Sequence, residues 1–304
     1  MSGCLTIAPV AHICESDFMK SLPTLWAALV ASYRLTKIEK MVDPKITAYS
    51  VAISTPHCFF EILCDGYTVS QITSFEHWVS LLRTIQKANT ERFVLASLDD
   101  FTQASYTCGH GIDSYELDEI EGYDLSGVDA SAFENGEHNG MLSTASEFFI
   151  RHENLLKFGQ RTNIEDAFDK LRWWNEFCDP AAANRDPDAE LRLVKERDLL
   201  IQLVPVPKAS DALAAFPNGY FTDDMNPGEN FLIARMLEEQ FGLRLFAVGA
   251  TYLAFWRDEV IDPTTADSIS EHLVRFYKGA PPGGNEAFAA SIAGKDTLLF
   301  RYSQ

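Results

Sequence analysis

His57-Cys58, Cys64 and Cys108-x-His110 are the side chains of this sequence whose types could hold a soft metal ion. Zinc takes thiolate and imidazole ligands in a tetrahedron, so Cys58, Cys64, Cys108 and His110 are the candidate metal ligands. Convergence requires that a hairpin over about 46–64 lie beside a strand over about 92–98. Structural zinc sites draw their ligands from paired Cys-x-x-Cys turns, and no Cys-x-x-Cys occurs here. The competing reading places Cys58 and Cys64 in a core as small apolar residues beside Phe59 and Ile62.

Carboxylates are the second chemical resource. Residues 93–150 contain no Lys or Arg, yet they hold twelve acids from Asp99 to Glu147. The chain carries a net charge of −19, and outside this stretch 25 bases face 32 acids. Charge segregated this sharply costs self-repulsion and projects a negative field that draws basic partners. Asp113-Ser-Tyr-Glu116-Leu-Asp118 lacks the Asp-x-Asp-x-Asp-Gly cadence of an EF-hand, although a looser cation site stays open. Tyr115 and Tyr123 lie among the acids, and interfaces favour Tyr as an anchor with charges around it. Asp113, Tyr115, Glu116, Asp118, Glu119, Glu121, Tyr123 and Asp124 are therefore the candidate partner-binding residues. A plain solvated acidic loop competes with that reading.

Other chemistries fail on their residues. Gly109-His110-Gly111 lacks the third glycine of a dinucleotide fingerprint. Gly294-Lys295-Asp296 places an acid where a phosphate loop needs Ser or Thr, and it precedes a strand rather than a helix. No Gly-x-Ser-x-Gly elbow and no His-Glu-x-x-His helix occurs. No catalytic residue and no cofactor is assigned. The negative balance argues against nucleic acid, which needs clustered Lys and Arg, and against anionic membranes. The apolar run 22–31 is too short to cross a bilayer, and no base precedes Lys20 to form a secretory leader. The cytoplasm is the expected location.

The elements that must position these groups read as α+β. The spacing predicts a helix over about Asp17 to Lys40, then strands Ile46 to Ser54 and Cys58 to Cys64. Thr73-Ser74-Phe75-Glu76 reads as a capping box opening a helix with Phe75, Trp78, Val79, Leu82 and Ile85 inward. A strand follows over Arg92 to Leu98. The stretch 99–141 reads as an acidic insertion without sustained periodicity. Thr144-x-x-Glu147 opens a helix to about Gly159, and a second follows Asn163 with Phe168, Leu171, Trp174 and Phe177. Ala181 to Asp188 is the linker candidate, so the chain divides into a part over 1–180 and a domain over 188–304. In the latter, Leu191-Arg192-Leu193 and Leu199 to Val206 read as strands. Asn226-Pro227-Gly228-Glu229 opens a helix ending at Gly242. A hairpin about Gly249-Ala250, a helix from Asp262-Pro263, a short helix after Asn285 and a strand over Thr297 to Tyr302 complete the order.

Val204-Pro205, Pro217-Asn218-Gly219-Tyr220 and Arg235-x-Leu237-Glu238-Glu239-x-Phe241-Gly242 carry a resemblance. With Leu245-x-x-x-Gly249 they make Leu200 to Tyr302 similar to the bacterial family catalogued as domain of unknown function 4253. The resemblance implies a bacterial, cytoplasmic α+β protein, and the family has no established catalytic residues to carry over. Arg301-Tyr302-Ser303-Gln304 departs from that family's Trp- and Asp-rich ending.

The expected fold is thus α+β, two mixed parts with short antiparallel strands and packing helices. The expected function is non-enzymatic binding of a basic protein, in its most concrete form as an immunity or antitoxin-like partner of a basic toxin. The alternative is a metal-assisted hydrolase using the Cys/His cluster or the acids.

Overall fold

The structure is a computed structural model that describes residues 43–173, 178–193 and 198–303. The helix expected over Asp17 to Lys40, and Trp174 and Phe177, lie outside the described residues. The fold is α+β, as the sequence predicts.

A seven-stranded sheet organises the described residues from 44 to 303. Its strands are β1 (Lys45–Tyr49), β2 (Gly66–Ser70), β3 (Phe93–Ser97), β7 (Leu199–Val204), β8 (Arg244–Val248), β9 (Tyr252–Trp256) and β11 (Thr297–Arg301), ordered β1-β2-β7-β3-β8-β9-β11. All neighbours are antiparallel except β3 and β8. Strand β3 sits between two strands from the last third of the chain, so the two parts expected from sequence share one sheet. Two-residue strands make minor pairs, β4 (Phe133–Glu134) with β5 (Glu137–His138) and β6 (Leu171–Arg172) with β10 (Tyr277–Lys278).

The inner strands bury both faces, which is why they read as continuous apolar runs rather than alternating ones. Leu199, Ile201 and Leu203 of β7 enter one core with Val94, Ala96, Phe246 and Trp256. Leu200 and Val204 enter the other with Leu95, Leu245, Leu253 and Phe255. Helix α1 (Phe75–Ala88) covers the first face through Trp78 and Leu82. Its cap is Ser74, whose side chain accepts from the His77 amide, one residue later than the capping box expected at Thr73.

The second face carries α2 (Phe101–Ser114), α3 (Phe148–Arg161), α6 (Pro227–Phe241), α7 (Pro263–Leu273) and α8 (Gly284–Ile292), with short helices α4 (Ala182–Arg185) and α5 (Pro187–Leu191) between them in sequence. The expected box at Asn226 is present: Asn226 accepts from the Glu229 amide at 2.9 Å and Glu229 accepts from the Asn226 amide at 2.7 Å. Gly242 closes α6 at φ +67°.

Several expectations give way. Residues 58–64 form no strand; β1 pairs with β2 instead, and the intervening chain crosses to α2. The linker candidate is occupied by α4 and α5, and residues expected as a strand at Leu191 end α5. The helix expected after Asn163 is a single 3₁₀ turn, Ile164–Ala167, followed by β6.

Two buried polar side chains secure the sheet. Asn184 donates to the Leu299 carbonyl at 2.7 Å and accepts its amide at 2.8 Å, standing in for an eighth strand beside β11. Asp99, at the end of β3, accepts from the Thr251 amide in the β8–β9 turn. Gly249 is needed in that turn because a Cβ there would lie 1.7 Å from the Asp99 carboxylate. Burial pushes the Asp99 carboxyl up to about 6.

Asn184→Ala strands a buried amide and carbonyl, and should lower unfolding free energy by about 2 kcal/mol or more in denaturant titration. Asp99 makes a pH prediction. Between about pH 4 and 6 the folded state keeps a proton that the unfolded state, near the ordinary 3.9, has lost. Stability contributed by this group therefore falls as pH rises through that window. Asp99→Asn should gain on the parent by up to about 3 kcal/mol between pH 4 and pH 7. A constant difference across that range would refute the burial argument.

Candidate functional site

The acidic stretch is not a structureless loop. Asp100 caps α2 by accepting from the Gln103 amide at 3.0 Å. The helix then buries Ala104, Ser105, Thr107, Cys108, Gly111 and Ile112. That face consists mostly of small residues, so the helix shows little apolar contrast in sequence.

Beyond α2 the chain runs in turns across α3, pinned by a few inward groups. Leu117 is fully buried, and Ile120, Tyr123 and Leu125 pack against the core. Asn154 of α3 donates to the carbonyls of Leu117 and Glu119 at 3.0 and 2.8 Å. Tyr123 donates to Asn154 at 2.7 Å and accepts from Lys157 at 2.9 Å, with that ammonium 4.3 Å from its ring. Tyr115 stacks on Phe158 at 5.0 Å.

Arg151 is the central pin. It is fully buried and forks onto Asp118, Nε to Oδ1 at 2.6 Å and Nη2 to Oδ2 at 2.8 Å. Its Nη1 donates to the Glu61 carbonyl at 3.1 Å. Glu147 closes the segment. Burial alone would raise its carboxyl, but hydrogen bonds from His138, Ser143 and Thr144 outweigh that and hold it below the usual range. His138 Nδ1 accepts from the Gly140 amide, which leaves Nε2 to donate to Glu147 at 2.6 Å.

The candidate partner-binding residues therefore divide. Asp113, Glu116, Glu119, Glu121 and Asp124 are exposed, as are Asp129, Glu134 and Glu137 beyond them. Amides from Ser126 and Ser131 hold Asp124 and Asp129 below the ordinary carboxylate range, so both stay charged into acid. Asp118 is committed to Arg151, and Tyr115 and Tyr123 turn toward α3. These three shape the face rather than present it.

The candidate metal ligands are placed differently from expectation. Cys64 and Cys108 are buried, and the Cys58 thiol donates to the Phe60 carbonyl at 2.9 Å. Burial raises all three thiols, Cys64 to about 12, so they are protonated near neutrality. The His110 ring lies between Tyr106 and Tyr220, at 4.4 and 4.9 Å. Among the described residues no group of three or more His, Cys, Asp or Glu side chains is arranged to hold a metal ion.

Of the four candidate ligands, Cys58 lines a cleft of about 260 Å³ between the 58–61 strap and the end of α2, with Gly140 and Met141 also in its lining. The strap lies tight on the helix because the Phe59 amide donates to Ser105 Oγ at 2.8 Å. Gly109 permits this approach, since a Cβ there would lie 2.5 Å from the Phe59 carbonyl. Glu61, Asp113 and Asp118 supply carboxylates, and Phe59, Ile112 and Met141 supply apolar surface. Phe59, Glu61 and Met141 were not singled out from sequence. A glycine amid the α2 residues was the available signal that another backbone approaches there.

No family model, no curated protein and no solved structure matches this chain. No helix among the described residues is long and apolar enough to cross a membrane.

Asp118→Asn should leave Arg151 as a buried cation with a weakened partner and cost about 3 kcal/mol of stability. Asp113→Asn and Glu116→Gln, at exposed positions, should change stability by no more than about 0.5 kcal/mol. Equal effects in equilibrium unfolding would remove the distinction between pin and face.

Proposed function

We propose that this protein is a non-enzymatic binder of a basic polypeptide, using the outer face of the acidic segment. The observation that supports it most directly is the set of eight exposed carboxylates from Asp113 to Glu137, on the last turn of α2, the turns after it and the β4–β5 hairpin, with no Lys or Arg in residues 93–150. Like charges gathered in this way repel one another, and a cationic partner relieves that repulsion. A face already ordered spends little further entropy on docking. Such a field also speeds encounter and sets orientation more than it sets final affinity. An immunity or antitoxin-like role, in which the face covers the phosphate-binding surface of a basic nuclease, is the concrete form of this reading. A metal-assisted hydrolase has no comparable geometric support, because among the described residues no group of three or more His, Cys, Asp or Glu side chains is arranged to hold a metal ion, and His110 is held between tyrosines.

The test is titration of the full chain with purified basic nucleases at low and physiological salt, where the screening length shortens to about 8 Å. Saturable binding that weakens steeply with salt is expected. Neutralising Asp113, Glu116, Glu119, Glu121 and Asp124 together should reduce it at least about tenfold without altering the fold. Absence of binding at low salt, or indifference to the five substitutions, overturns the proposal.

A further inference from the structure

A row of rings crosses the surface beside the cleft. Phe59 meets Tyr106 edge-on at 5.8 Å, Tyr106 meets His110 at 4.4 Å, His110 stacks on Tyr220 at 4.9 Å, and Tyr220 meets Phe221 at 5.5 Å. Phe59, Tyr106 and Phe221 are 59%, 41% and 48% exposed, and Met141 across the cleft is 65% exposed. Large apolar side chains left this open in one neighbourhood mark an interaction surface.

Charge complementarity decides the occupant. The cleft walls carry Glu61 and Asp113, exposed and outside every ion pair among the described residues, while Arg151 behind them is already engaged by Asp118. At about 260 Å³ the space falls below the roughly 300–1,000 Å³ of small-molecule sites, which suits a single long side chain. A cation between carboxylates and open ring faces gains from both ion pairing and the ring quadrupoles. The planar guanidinium does this better than an ammonium, because it stacks on rings and pairs with carboxylates through two parallel N–H groups.

We infer that this cleft is the anchor site for one arginine side chain of the basic partner, whose backbone runs along the row of rings from Phe59 toward Phe221. The inference rests on the proposed function and adds a specific pocket to it. Its guanidinium lies between Glu61 and Asp113 and against the Phe59 ring, and its aliphatic stem lies against Met141.

The experiment compares an oligoarginine peptide with an oligolysine peptide of equal length, titrated against the full chain at physiological salt by calorimetry. The arginine peptide should bind about tenfold more tightly. Phe59→Ala and Asp113→Asn should each remove most of that preference, whereas Glu134→Gln, on β4 and outside the cleft lining, should weaken both peptides equally and slightly. Phe59 is exposed, so its replacement leaves the fold intact, which circular dichroism checks. Equal binding of the two peptides, or a preference untouched by Phe59→Ala, overturns the anchor while leaving the acidic face as binder. Binding of neither peptide defeats both readings.

Discussion

The buried guanidinium of Arg151 joins three pieces of chain that have no backbone pairing with one another. It stands on α3, holds the acidic segment through Asp118, and holds the 58–61 strap through the Glu61 carbonyl. Removing a cation from water costs several kcal/mol, which a bidentate carboxylate and a carbonyl offset only at close range. Burial works against the charge on Arg151, and Asp118 outweighs it. The geometry is consequently strict: if the segment shifts, the cation loses its partner. Strictness of this kind is what turns a highly charged stretch into a shaped surface.

The same interaction explains why one carboxylate in this region behaves differently from its neighbours. Asp118 neutralises an internal charge, so the outward field arises from acids that have no such duty. Burial of Leu117 immediately before it, and of Leu142 before the Glu147 cap, ties both ends of the turns to the core. Between those ties the acids are spaced by turns, with side chains of Asp124 and Asp129 bonded to their own following amides. Local bonds of that sort occupy one carboxylate oxygen and leave the charge facing water.

Legibility in the sequence follows the range of the forces involved. The cap at Asn226, the proline after it and the glycine at 242 act within one helix, and α6 was read from them. The β8–β9 hairpin was legible for the same reason. Sheet order was not, because the insertion of β3 between β7 and β8 depends on contacts more than 100 residues apart. Helix α2 was missed because its inward face is Ala104, Ser105, Thr107, Cys108 and Gly111, which periodicity does not register. The run 58–64 looked like a strand from its apolar content, yet Phe59 faces solvent while Ile62 and Leu63 are buried. Of the candidate site, the exposed acids were legible as a charge anomaly. Nothing local distinguished Asp118 from Glu119, since the difference lies in a residue 33 positions away.

Asn184 has a consequence for how this chain behaves among copies of itself. By occupying both backbone groups of Leu299 it makes the β11 side of the sheet a poor template for a foreign strand. The opposite terminal strand, β1, is mostly exposed and begins with Lys45, a residue that discourages but does not block addition. Among the described residues, strand addition is therefore open at one edge of the sheet. A sheet that can be extended from one side only cannot propagate as a filament by head-to-tail pairing.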